Sequence, residues 1–85
     1  MRTIEIEMPI KEYSDPIIDL FFKFAKERNI DPVDTPVRRY FAKPGSLKCK
    51  LCLSLGIRCQ HYTDEVVSLI KDMDFFNEDF SIEVI

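Results

Sequence analysis

Alternating apolar and polar positions predict a strand near each end of the chain. Ile4, Ile6 and Met8 alternate with polar residues, a pattern typical of a strand that is buried on one face. Residues 80–84 alternate in the same way and predict a last strand. The chain is therefore expected to begin and end in β-structure.

Between these strands, two stretches repeat their apolar residues at helical spacing. The first helix is expected to begin at Ser14 or Asp15, either of which can cap it, and to end at Asn29, which tolerates the left-handed conformation. The second is expected to begin at the capping residue Thr63 and to stop near Asn77. The residues predicted to form the buried stripes are Ile17, Leu20, Phe21, Phe24, Val66, Ile70 and Met73.

The segment between the two helices has the pattern of a β-hairpin. Residues 37–41 are strand-forming, residues 43–46 read Lys-Pro-Gly-Ser, and residues 47–51 alternate again. The resulting order is strand-helix-strand-strand-helix-strand. It matches the ferredoxin-like split βαβ arrangement of one antiparallel sheet with two helices on one face. We therefore predict a single α+β domain over residues 1–85.

All the cysteines and the only histidine lie within residues 49–61. Cysteine and histidine are the preferred ligands of zinc, and three Cys with one His is a common structural set. Gly56 lies between the two pairs, where it can help the chain reverse. We therefore predict that one structural Zn²⁺ staples the domain and adds folding energy that a small core lacks. The predicted metal ligands are Cys49, Cys52, Cys59 and His61.

Two alternatives to zinc stay open for this segment. Free cysteines are often small core residues, and in a strict strand Cys49 and Cys52 would point to opposite faces. The zinc site therefore needs the strand to end near Cys49. An iron–sulfur cluster can also use three Cys and one His, although no cluster-specific spacing occurs here.

The segment resembles a SWIM-type zinc finger over residues 47–62. That family reads Cys-x-Cys, a variable spacer and then Cys-x-His, with the first pair on a hairpin and the second opening a helix. Cys59-Gln60-His61 matches the second half, whereas Cys49-x2-Cys52 is one residue longer than the family's first pair. The resemblance implies zinc, and it implies DNA or protein binding as the role.

Charge is unevenly distributed around the same segment. The net charge is −3, yet residues 36–61 contain only basic charged residues. A positive region of this kind can attract an anion such as a nucleic-acid backbone, although Arg38 and Arg39 can equally be an exposed edge that discourages strand pairing. The predicted nucleic-acid contacts are Arg38, Arg39, Lys43, Lys48, Lys50 and Arg58.

The first functional hypothesis is a small zinc-binding module that binds nucleic acid through this basic surface. The second is a protein-interaction adaptor whose zinc is purely structural. The third is a thiol or metal enzyme, in which basic neighbours lower the thiol pKa values; we expect no enzyme activity, since no catalytic set of residues is evident. The odd cysteine count and the absence of a signal or membrane segment predict a cytoplasmic, reducing location without membrane contact.

Overall fold

The computed structural model describes residues 1–41, 45 and 47–85. Within those ranges it contains four strands and two α-helices, in the predicted order. Their bounds are β1 (Arg2–Met8), α1 (Ser14–Glu27), β2 (Val37–Phe41), β3 (Cys49–Leu55), α2 (Thr63–Lys71) and β4 (Ser81–Val84). The prediction of a small α+β domain is confirmed. Of the turn predicted over residues 43–46, only Gly45 lies within the described residues, and its φ of 80° is the conformation that favours glycine.

The four strands form one sheet in the order β2-β3-β1-β4, and every neighbouring pair is antiparallel. The first strand of the chain is therefore central in the sheet, beside β3 on one side and β4 on the other. β2 and β4 form the two edges. The hydrophobic core lies between one face of this sheet and the two helices.

Period-two alternation separates the two faces of the sheet. Ile4 and Ile6 on β1 pair with Leu53 and Leu51 on β3, and all four side chains are fully buried. Phe21 of α1 is fully buried in the same cluster. The opposite face carries polar residues of the same strands, so one face faces the helices and the other faces solvent.

The start of each helix differs from the predicted side-chain cap. Each α-helix follows directly on a short 3-10 turn, and the first helical hydroxyl donates backward to that turn. Ser14 Oγ donates to the carbonyl of Lys11 at 2.6 Å, and Thr63 Oγ1 donates to the carbonyl of Gln60 at 2.6 Å. Because the 3-10 turn already occupies the cap position, these buried hydroxyls fasten the turn to the helix.

The ends of the helices agree with the sequence at α1 and differ at α2. Asn29 adopts a φ of 55° just after α1, as its predicted role requires. The second helix ends at Lys71, earlier than the predicted stop at Asn77. In the described ranges, no helix is long and apolar enough to cross a membrane.

Candidate functional site

The first pair of predicted zinc ligands lies inside a strand. β3 begins at Cys49 and continues through Cys52 to Leu55. Cys49 lies opposite Met8 on the helix-covered face, whereas Cys52 lies opposite Glu5 on the open face. Successive side chains of a strand alternate between faces, so residues three apart point to opposite sides of the sheet. The condition that β3 end near Cys49 is not met.

The second pair lies at the far end of β3. A seven-residue strand is about 20 Å long, and Cys59 follows its last residue by one turn. The Cys59 thiol is buried and donates to the carbonyl of Asp34 at 3.6 Å. His61 is exposed, and its ring lies 4.2 Å from the ring of Tyr62. Cys59 and His61 therefore differ in their surroundings, since the thiol is buried and the imidazole is exposed.

The structure does not bring the four predicted ligands together. Throughout the described residues, which include all four, no group of three or more His, Cys, Asp or Glu side chains is placed to hold a metal ion. A single tetrahedral site needs its ligand atoms within about 4 Å of one another. Joint coordination would require β3 to come apart between Cys49 and Cys52. The zinc site stays a prediction.

Burial dominates the acid–base behaviour of the thiols. Burial raises the pKa values of Cys49, Cys52 and Cys59 above their ordinary value. At Cys52 the carboxylate of Glu5 raises the pKa further, and Lys50 lowers it by less than burial raises it. The enzyme hypothesis supposes that basic neighbours lower the thiol pKa values. Lys50 and Arg38 do lower the pKa of Cys52, but the removal of that thiol from water raises it by more.

Gly56 allows a close backbone approach immediately after β3. Its N–H donates to the carbonyl of Asp34 at 2.8 Å, and a Cβ at this position would lie 2.8 Å from Asp34 Oδ1. A larger residue here would therefore force the Asp34 side chain to move. Gly56 places the loop after β3 against the loop before β2, rather than joining two halves of a metal site.

The predicted basic contacts do not form one surface. Arg38 and Lys50 lie on the open face, while Arg39 lies on the helix side, where it donates to Ser14 Oγ at 3.0 Å and to Asp15 at 3.2 Å. Lys48 is exposed just before β3, and Arg58 is exposed beyond its opposite end. Lys43 lies outside the described residues.

The open face of the sheet is divided by charge. Its β2–β3 side carries Arg38, Tyr40 and Lys50, and its β1–β4 side carries Glu5, Glu7 and Glu83. The division passes through an ion pair of 3.1 Å between Lys50 Nζ and Glu5 Oε2. Alternation within each strand is a local pattern of the sequence, whereas the separation of the charges depends on the order of the strands in the sheet.

The edge strand β2 is the most exposed part of the sheet. Tyr40 and Phe41 are 46% and 51% exposed, although aromatic side chains usually lie inside a domain. The N–H of Ser54 donates to the carbonyl of Pro36, which sets the hydrogen-bond alternation between β2 and β3. By that alternation, the backbone N–H and C=O groups of Val37, Arg39 and Phe41 point away from β3. In the described part of the chain, no strand pairs with this edge.

Comparison with protein-family models, with curated proteins and with solved structures found no match for this chain. The resemblance to a SWIM-type zinc finger thus stays a prediction.

Proposed function

We propose that this protein is a protein-interaction module that binds an extended, acidic protein segment along the free edge of β2. The observation that carries the proposal is the exposed edge itself. β2 presents outward-pointing backbone groups together with arginine and aromatic side chains. Addition of a strand to such an edge is a common mode of peptide recognition, in which backbone hydrogen bonds give affinity and alternate side chains give specificity.

The side chains of β2 favour a negatively charged partner. Arg38 is exposed on the open face beside Tyr40, and the guanidinium of Arg39 is 43% exposed on the helix side. A partner strand with a carboxylate on the open face would therefore lie beside Arg38, whereas Arg39 already pairs with Asp15 at 3.2 Å. Exposed tyrosine, phenylalanine and arginine are also the residue types enriched where proteins bind one another.

Nucleic-acid binding, the first hypothesis from the sequence, has weaker support. The phosphate contribution requires several basic side chains that reach one backbone. Here Arg58 lies at the opposite end of β3 from Lys48, and Glu5, Glu7 and Glu83 occupy the same face as Arg38. These carboxylates repel phosphate, whereas a peptide bound to the edge of β2 lies across two strands from them.

The proposal is tested with a fluorescent synthetic peptide of alternating glutamate and valine. Its binding is measured by fluorescence anisotropy against the wild-type chain, R39P and R39A. Proline at position 39 removes an outward N–H without breaking a bond to β3, and alanine removes the same side chain while it keeps that N–H. We expect R39P to lose binding and R39A to retain most of it.

Two outcomes would overturn the proposal. Equal binding by R39P and the wild-type chain would place the partner elsewhere on the molecule. Tight, steeply salt-dependent binding of a single-stranded DNA oligonucleotide that R39P leaves unchanged would move the function to nucleic acid.

The zinc prediction is tested independently by native mass spectrometry with and without a strong chelator. Because Cys49 and Cys52 face opposite sides of β3, we expect the chain to keep its circular-dichroism spectrum after chelation. One zinc per chain that is lost together with the fold would show that β3 is not continuous through Cys52.

A further inference from the structure

The two edges of the sheet are complementary to each other. β2 carries arginines, and the opposite edge strand β4 carries Glu83 and the apolar residues Ile82 and Val84. β1 and β2 run in one direction, and β3 and β4 run in the other. A second copy that is placed beside the first in the same orientation would therefore pair β4 with β2 in an antiparallel fashion.

The charges of the two edges lie in one row across the sheet. Glu83 pairs with Glu5, Glu5 with Cys52, and Cys52 with Arg38. Glu83 of one copy would thus lie directly opposite Arg38 of the next without any shift along the strands. Both side chains point to the open face and are exposed. Opposite charges directly across a strand pair stabilise that pairing.

The backbone hydrogen bonds are aligned in the same register. Thr3 and Ile85 exchange backbone bonds of 3.3 and 2.8 Å, so the alternation leaves the N–H and C=O groups of Ile82 and Val84 pointing away from β1. By the register, Val84 shares a row with Val37, and Ile82 shares a row with Arg39. Outward groups would therefore meet outward groups across the junction.

This alignment also places Glu83 and Arg38 where cross-strand side chains are closest. In an antiparallel pair, the rows between hydrogen-bonded rows have Cα atoms about 4.5 Å apart. The two half-buried apolar residues of β4 would lie on the helix side, beside Val37 and Arg39. The charges, the outward backbone groups and the apolar residues thus all favour the same register, in which Glu83 lies opposite Arg38.

We propose that the partner of the β2 edge is β4 of a second copy, so that the chain assembles end to end through a β4–β2 junction. The inference depends on the proposed function, since it names the extended acidic segment that β2 binds. Pairing of two β2 edges would bring arginines of like charge together, and pairing of two β4 edges would bring glutamates together. The junction joins two different surfaces, so successive copies extend the sheet without closing a dimer.

The test compares four chains by sedimentation equilibrium over a wide range of concentration: wild type, R38E, E83R and the double variant R38E/E83R. For the wild type we expect an average mass that rises with concentration and does not level off at the dimer. Each single reversal places like charges across the junction, and we expect association to weaken about tenfold. The double variant restores opposite charges and is expected to recover association.

Mixing the two single variants provides a matched control for folding. In an equal mixture of R38E and E83R, each junction between unlike variants again pairs opposite charges, so the mixture should associate more tightly than either variant alone. Recovery in the mixture shows that both variants are folded. E83K serves as a second variant should E83R be unstable.

Three results would overturn the inference. One is a wild-type chain that stays monomeric at every concentration. Another is a dimer that saturates and ignores the reversal at Glu83. The third is a double variant that fails to recover while the mixture also fails. A monomeric chain that binds the glutamate–valine peptide, and loses that binding in R39P, would leave the proposed function intact and remove only the second copy as partner.

Discussion

The two faces of β3 are built from neighbouring residues and yet differ in almost every physical respect. Leu51, Leu53 and Leu55 on the helix-covered face have no exposed surface. Lys50 and Ser54 on the open face contact polar residues of β1, through the ion pair to Glu5 and a 3.3 Å hydroxyl contact to Thr3. The helix-covered face contributes to the hydrophobic core, and the open face carries polar side chains. Sequence proximity therefore says little about which residues act together in a strand.

The largest expected difference between the faces comes from truncating adjacent residues. Leu53→Ala removes a fully buried side chain and leaves a cavity, which should cost about 2–5 kcal/mol of unfolding free energy. Ser54→Ala on the open face should change it by no more than about 0.5 kcal/mol. Urea titrations of both variants measure the contrast, and similar losses at the two positions would contradict the assignment of faces.

The two cysteines of β3 provide a more conservative comparison. Cys49→Ser places a hydroxyl in the core, where Cys49 is 2% exposed, and should cost about 1–3 kcal/mol. Cys52→Ser lies on the open face, where Cys52 is 8% exposed, and should cost less because its surroundings there are more polar. Thermal unfolding of the two variants distinguishes these cases. Equal and severe losses, reversed by added zinc, would instead indicate that both thiols bind one metal.

The sequence predicts features that depend on neighbouring residues better than features that depend on distant pairings. The alternation of Cys49, Leu51, Leu53 and Leu55 is present in the sequence and predicts a strand through Cys52. The zinc prediction, in contrast, needs the strand to end near Cys49, because it groups Cys49 and Cys52 as ligands of one ion. Strands, helices and the stop at Asn29 could be predicted because they depend on neighbouring residues. The edge positions of β2 and β4 depend on pairings between distant segments. No local pattern predicts them, and they follow only from the predicted ferredoxin-like arrangement, which places the second and fourth strands at the edges.

A pH titration examines the buried thiols of both faces together. The pKa values of Cys49, Cys52 and Cys59 are raised by burial. In the unfolded chain these thiols ionise from about pH 8.5 upward, while the folded thiols stay protonated. Their contribution to stability is therefore complete below that pH and is lost as the pH rises toward the folded values. We expect the urea midpoint to fall above about pH 8.5, and to fall less in a variant with alanine at all three positions.

The smallest expected effect is confined to the open face. Glu5 raises the pKa of Cys52, whereas its neighbour on the same face, Glu7, is not among the causes. Glu5→Gln should therefore speed alkylation of Cys52 by iodoacetamide near pH 8 by a few-fold, and Glu7→Gln is the matched control. Peptide mapping by mass spectrometry gives the rate at each cysteine. A similar increase at Cys49 would indicate general loosening of the fold instead.

The central position of β1 in the sheet also affects when this strand can pair during synthesis. β1 pairs with β3 across the middle of the chain and with β4 at its end, as in the pairing of Ile4 with Val84. A ribosome must therefore synthesise the chain through Val84 before β1 can have both neighbours. Loops of this length also close slowly. Until then its hydrophobic residues lie beside unpaired backbone groups that can seed aggregation. Glu5 and Glu7 alternate with these hydrophobic residues along β1, and charges in such a segment oppose aggregation.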